Sequence, residues 1–150
     1  MIKGTLFDTL GWGDWAWSRT LGGASYDLLF GFLETLLQAG SSCIAESNFE
    51  AGRAADRLRG LCETYRFMPI EILCTADLET LRRRYRVRLA SRHVGHVDHL
   101  NAATHEAAWT GERHGSLNLG GQSVRVDTTA FGKTEQNALV SRLRNTVAAA

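Results

Sequence analysis

Residues 69–99 read PIEILCTADLETLRRRYRVRLASRHVGHVDH, and this run sets both the fold class and the chemistry to look for. Pro69 opens a short apolar segment, Ile70–Cys74, bounded by turn residues and too short for a helix, so it is expected to be a strand. Asp77 stands where the N-cap of a following helix belongs, with Thr80 and Leu81 in its first turn. That helix carries Arg82, Arg83, Arg84, Arg86 and Arg88, and Arg92 lies just beyond it, followed by His93, His96 and His99. Arg82 and Arg86 share one face at i, i+4, while Leu81, Tyr85 and Leu89 form a neighbouring face that can pack inward. Ser91 to Gly95 is expected to break or bend the helix. Guanidinium groups gathered this densely suit a polyanion, most simply a phosphate. The alternative is a solvated helix face.

Outward from this run, residues 4–23 are rich in Gly, Trp and Ser without a sustained period. They read as a short helical turn and a structured loop, with Trp12, Trp15 and Trp17 as packing residues. Ser25 looks like the N-cap of a helix over 26–38, whose apolar face is Leu28, Leu29, Phe32, Leu33, Leu36 and Leu37, and Gly40 stops it. Residues 42–48 (SCIAESN) are expected to form a buried strand ending at Glu46. A helix over 49–66 follows, with Ala55, Leu58, Leu61, Cys62 and Tyr65 on its apolar face. Beyond the arginine helix, the pattern predicts a helix over about 97–109, a loop over 115–121, a strand over 123–128 and a last helix over 134–147. Strands alternating with helices imply an α/β fold with parallel strands and right-handed crossovers. Ligands in such sheets gather at the carboxyl ends of strands, here Glu46 with Asn48, Thr75 with Asp77, and Asp127 with Thr128.

At 150 residues the chain is long enough for one domain with a real core, and its 44% apolar content is that of a soluble globular protein. A net charge of +1 argues against a dedicated nucleic-acid binder. No apolar run is long enough to span a membrane, and the first residues lack the apolar core of a secretory signal. Cys43, Cys62 and Cys74 form no CxxC pair and read as reduced core thiols of a cytosolic protein.

Two motifs invite chemistry and fall short of it. Gly132-Lys133-Thr134 follows a strand and opens a helix, but a phosphate loop needs glycine where Asp127 stands, and a carboxylate there would repel phosphate. The plain reading is an ordinary helix start. His93, His96, Asp98 and His99 come one residue away from an HxHxDH metal pattern, with the first histidine displaced. No further cluster completes such a site, so lid or phosphate-contacting histidines are expected rather than a metal.

Four blocks then fit a known family: GTLFDTLGWGD (4–14), LLQAGSSCIAESNF (36–49), CTADLETLRRRYRVR (74–88) with SRHVGHVDH (91–99), and VDTT (126–129). In this order they resemble the P-loop small-molecule kinase-like ATP-binding proteins, relatives of zeta-toxin and shikimate kinases often described as AAA-family ATPases. The resemblance covers nearly the whole chain. It implies a layered α/β/α P-loop NTPase-like parallel sheet in a single domain over 1–150, with a lid over about 77–109. It also implies ATP and Mg²⁺ as cofactors and phosphoryl transfer to a small molecule.

The resemblance further implies that Glu46 organises Mg²⁺ and water, that Arg82, Arg86 and Arg92 are lid arginines with His93 and His96 beside them, and that Lys3 and Asp8 face the substrate. Two departures stand out. Met1-Ile2-Lys3 aligns inside a motif that follows the GxxGxGKS/T loop, so the loop and the central first strand are expected to be missing, leaving about three strands and weak or absent activity. Val94 stands where the family usually has proline. Two rival expectations remain open: a non-enzymatic binding or assembly protein using an open sheet edge, and a metal-dependent hydrolase on His93, His96, Asp98 and His99.

Overall fold

The computed structural model describes residues 2–97 and 115–148. Its elements are α1 (Ile2–Leu10), α2 (Trp15–Gln38), α3 (Ala51–Tyr65), β1 (Ile70–Thr75), α4 (Leu78–Leu89), a 3-10 turn (Val94–His96), β2 (Gln122–Asp127) and α5 (Lys133–Ala148). The chain divides into two compact units, one of residues 1–47 with 82–110, the other of 48–81 with 111–150.

In the first unit, α2 starts well before the expected residue 26. Its N-cap is Asp14, whose carboxylate accepts the Trp17 N–H at 2.8 Å. Ser25, expected as the cap, lies mid-helix and donates its hydroxyl to the Leu21 carbonyl at 2.6 Å. Gly22 and Gly23 each weaken a helix by about 1 kcal/mol relative to alanine. Tertiary burial of Ser18, Leu21, Phe30 and Leu33 on one stripe outweighs that. Of the expected apolar face, Leu33 is buried and Leu29 and Leu37 are half-buried, while Leu28, Phe32 and Leu36 are exposed. Trp12, Trp15 and Trp17 are exposed too, rather than packed inside.

The expected strand over 42–46 does not form. Residues 41–46 have no regular structure, and Ile44 is 98% exposed. A strand exists only through a ladder partner, and the sheet of the described residues contains β1 and β2 alone. The expectation of about three strands is corrected to two among the described residues. Cys43 and Cys74 are likewise exposed and not core thiols. Cys62 is partly buried, and that burial pushes its thiol upward in pKa.

In the second unit the two strands run parallel, in register from Ile70 opposite Gln122 to Thr75 opposite Asp127. Val124 is buried at the centre, and Ala54, Ala55 and Leu117 are buried as well. Gly121 enters the ladder so tightly that a Cβ would lie 2.1 Å from the Pro69 carbonyl oxygen. The same carbonyl accepts the Gln122 N–H at 3.1 Å, which starts the pairing. Glu71 ties the incoming loop to β1, accepting the Ser116 hydroxyl and the Leu117 N–H, each at 2.7 Å. α3 ends at Arg66, a left-handed cap at φ 49°. The fold is mixed α/β, mostly helical. The expected helix over 97–109 lies almost wholly outside the described residues, and no described helix is long and apolar enough to cross a membrane.

Candidate functional site

The arginine helix is anchored as its sequence demands. The two oxygens of Asp77 accept the Thr80 N–H at 2.7 Å and the Thr80 hydroxyl at 3.0 Å, which satisfies orphan donors of the first turn. These bonds favour the ionised carboxylate, so Asp77 is held below the usual carboxylate range, with the backbone bond from Thr80 the largest cause. Tyr85 is buried, and Leu81 and Leu89 are half-buried beside it. Arg82 is also half-buried, and its Nε has no hydrogen-bond partner among the described residues. Arg83, Arg86 and Arg88 are exposed. The helix therefore presents one inward apolar stripe and an outward cationic face.

At the carboxyl ends of the strands, two of the three expected pairs converge in the second unit. The Thr75 carbonyl accepts the Thr128 N–H at 2.6 Å and the Thr128 hydroxyl at 2.8 Å. The Asp77 N–H donates to the Thr129 hydroxyl at 2.9 Å, and Asp127 accepts the Thr129 N–H at 2.8 Å. The third pair is not a strand end, because Glu46 is an exposed residue of the irregular 41–46 segment.

A second cluster forms in the first unit around Phe7, which is 1% exposed. His93 stacks on its ring with centroids 5.0 Å apart and 9° between planes, and His96 meets the ring edge-on at 5.2 Å and 80°. Lys3, one helical turn before Phe7, places Nζ 5.2 Å from the ring centroid and donates to the buried Ser18 hydroxyl at 3.2 Å. Asp8 approaches His93 Nε2 at 3.3 Å. The sequence singled out Lys3, Asp8, His93 and His96, and all four come together here. Phe7, the residue that collects them, was missed because a lone phenylalanine carries no pattern. The turn ends at Val97, which is buried with φ 49°. A β-branched residue in that conformation costs roughly 1–3 kcal/mol, offset here by its burial.

Gly132-Lys133-Thr134 is an ordinary helix start. The Gly132 N–H donates to the Glu135 carboxylate at 2.9 Å, so an acidic side chain sits where a phosphate would be cradled. For the metal pattern, Asp98 and His99 lie outside the described residues. Of the described pair, His93 accepts the Gly95 N–H on Nδ1 at 3.0 Å, and its Nε2 lies 3.3 Å from the exposed Asp8 carboxylate.

The fold has a solved counterpart. A protein of Chloroflexus aurantiacus j-10-fl, described as a "putative kinase", superposes with a TM-score of 0.86 and is 35% identical, over 97% of this chain and 80% of that one. The chain belongs to the same kinase-like family. No family model matches it, and no curated protein does. Among the described residues, the cationic face of α4 and the cluster around Phe7 bring together most of the side chains that the sequence singles out.

Proposed function

We propose that this chain is the lid-bearing part of a P-loop NTPase-type kinase domain, which handles the phosphates of ATP·Mg²⁺ and a small-molecule acceptor. The observation that carries it is the likeness to a kinase over 97% of the chain, in a molecule whose α4 displays an arginine row. Phosphoryl transfer needs cations that neutralise the charge growing on the transferring group. Arg82, Arg86 and Arg92 supply them in this reading, with His93 and His96 shaping the same lid. Lys3 and Asp8 face the acceptor, and Glu46 contributes the acid that organises Mg²⁺ and water.

The residues fit ATP only in part. Arginines suit a triphosphate, yet the 150 residues contain no GxxxxGKS/T run, and the Gly132 amide is taken by Glu135. Without a preorganised amide cradle, arginines alone hold nucleotide weakly. Calorimetric titration of the purified chain with ATP·Mg²⁺ is expected to show weak, salt-sensitive binding and little turnover. Tight binding with ordinary kinase turnover would overturn the proposal.

A second reading has an observation of its own. A two-stranded parallel sheet is small for independent stability, and the apolar segment around Ile44 is exposed. A binding or assembly role through strand pairing would use both. Light scattering after size exclusion separates the readings: a stable assembly that Ile44→Lys disperses supports this one, and a monomer at all concentrations removes it.

A further inference from the structure

We propose that His93 is a positioning residue that latches the 93–97 turn onto α1, and that it works as the neutral imidazole carrying its proton on Nε2. The tautomer follows from two contacts on opposite edges of the ring. Nδ1 accepts the Gly95 N–H at 3.0 Å, which requires a lone pair there. The single proton of the neutral ring is therefore on Nε2, and that nitrogen faces Asp8 Oδ1 at 3.3 Å. One face of the ring lies flat on Phe7. The turn is thus capped by one edge of His93, tied to α1 by the other and stacked onto α1 by its face.

The packing leaves no slack around this arrangement. A Cβ on Gly95 would come within 2.7 Å of the Phe7 ring and 2.8 Å of the Trp12 Cβ. His96 closes on the Phe7 edge from the same turn. A ring whose Nδ1 lone pair accepts the Gly95 N–H and whose face lies on Phe7 is held in place by the turn and α1, so His93 serves geometry. A second proton has one place to go, Nδ1, where it would point at the Gly95 N–H and set two donors against each other.

The charged groups facing His93 and its stack in the described contacts are Asp8 and Lys3 of α1 and His96 of the turn, while α2 contributes the Ser18 hydroxyl. Asp8 is 71% exposed, so the seat of the ring rests mainly on the Gly95 cap and the Phe7 stack. None of this depends on whether the chain binds nucleotide.

The test is nitrogen-15 NMR of the full chain with amide exchange at Gly95. At about pH 8, where an ordinary histidine is neutral, His93 is expected to show one neutral tautomer with the proton on Nε2. The Nδ1–H form, or the tautomer mixture of a free imidazole, overturns the proposal. Asp8→Asn keeps an oxygen for Nε2–H and removes the charge, so Gly95 exchange is expected to stay near wild type. Asp8→Ala removes the carboxylate 3.3 Å from Nε2, and exchange is expected to rise about twofold, the worth of an exposed polar contact. Equal acceleration in both variants would mean a charged ion pair and would sink the tautomer assignment. Exchange at Leu33, buried on α2 in the same unit, reports whether either variant has simply failed to fold, and His93→Asn, whose side-chain oxygen can accept the Gly95 N–H, is expected to keep the cap but not the stack on Phe7.

Discussion

The His93 ring lies 5.0 Å above the Phe7 ring and within 9° of parallel to it, and Phe7 is among the most buried large side chains in the chain. This one stack joins the first helix to the turn that follows the arginine helix, some 86 residues later in sequence (93 minus 7). Non-local contacts of this kind hold a turn that short-range hydrogen bonds alone would leave free to fray.

Gly95 is the position most sensitive to size. Gly95→Ala would place its methyl within 2.7–2.8 Å of Phe7 and Trp12, closer than packed carbon atoms tolerate. Overpacking of this sort costs typically about 1–3 kcal/mol. Denaturant unfolding is expected to show a loss in that range, accompanied by a change in the near-ultraviolet circular dichroism, to which Trp12 contributes. An unchanged midpoint and spectrum would mean the turn is not seated on α1.

Val94→Pro is expected to stabilise the same turn. Val94 occupies the first position of the 3-10 turn, where proline's fixed φ and missing N–H are tolerated. His93 already holds φ −54° and ψ 131°, the extended conformation that a residue before proline prefers. Reducing the freedom of the unfolded chain should add about 0.4–1 kcal/mol, read as a higher unfolding midpoint. A lower midpoint would show that the Val94 side chain or N–H has a partner that proline removes.

Much of this architecture was legible in the sequence, for identifiable reasons. β1, β2 and the start of α4 announce themselves because Pro69, the IEILC and SVRVD runs and the Asp77 cap act locally. The inward Tyr85 stripe follows from helical spacing alone. The early start of α2 was hidden because Gly22 and Gly23 argue against a helix and only burial of Ser18, Leu21 and Phe30 argues for one. The strand over 42–46 was over-read because apolar content marks a strand's willingness to pair and not its partner. Lys3, Asp8, His93 and His96 were recognisable one by one, yet their convergence depended on Phe7, which no local pattern marks.

Acid should weaken two helix starts. Asp77 is held below the ordinary carboxylate range by bonds from Thr80, and Glu135 likewise by backbone N–H groups, its own and that of Gly132. Because the folded-state value lies below the unfolded one, each contributes stability above the ordinary carboxylate range and loses it as pH falls through the folded value. Asp77→Ala is therefore expected to lower the melting temperature at neutral pH and to flatten its fall on acidification. An acid limb as steep as the wild type's would assign the effect to other carboxylates.

The final prediction separates the two arginines that share a face of α4. Arg82 is half-buried with its Nε enclosed, whereas Arg86 is exposed. A buried arginine stem packs as a hydrocarbon does, so truncating it loses contact as well as charge. Arg82→Ala is expected to destabilise the chain by roughly 1 kcal/mol, while Arg86→Ala stays within about 0.5 kcal/mol, the usual range for surface changes. Both are expected to weaken ATP·Mg²⁺ binding, since each removes one cation from the face of α4 that they share. Arg82→Met keeps the apolar stem and should recover most of the lost stability without recovering affinity. If Arg82→Met restores binding as well, or if neither alanine variant changes affinity, the row does not face phosphate and α4 is a solvated face after all.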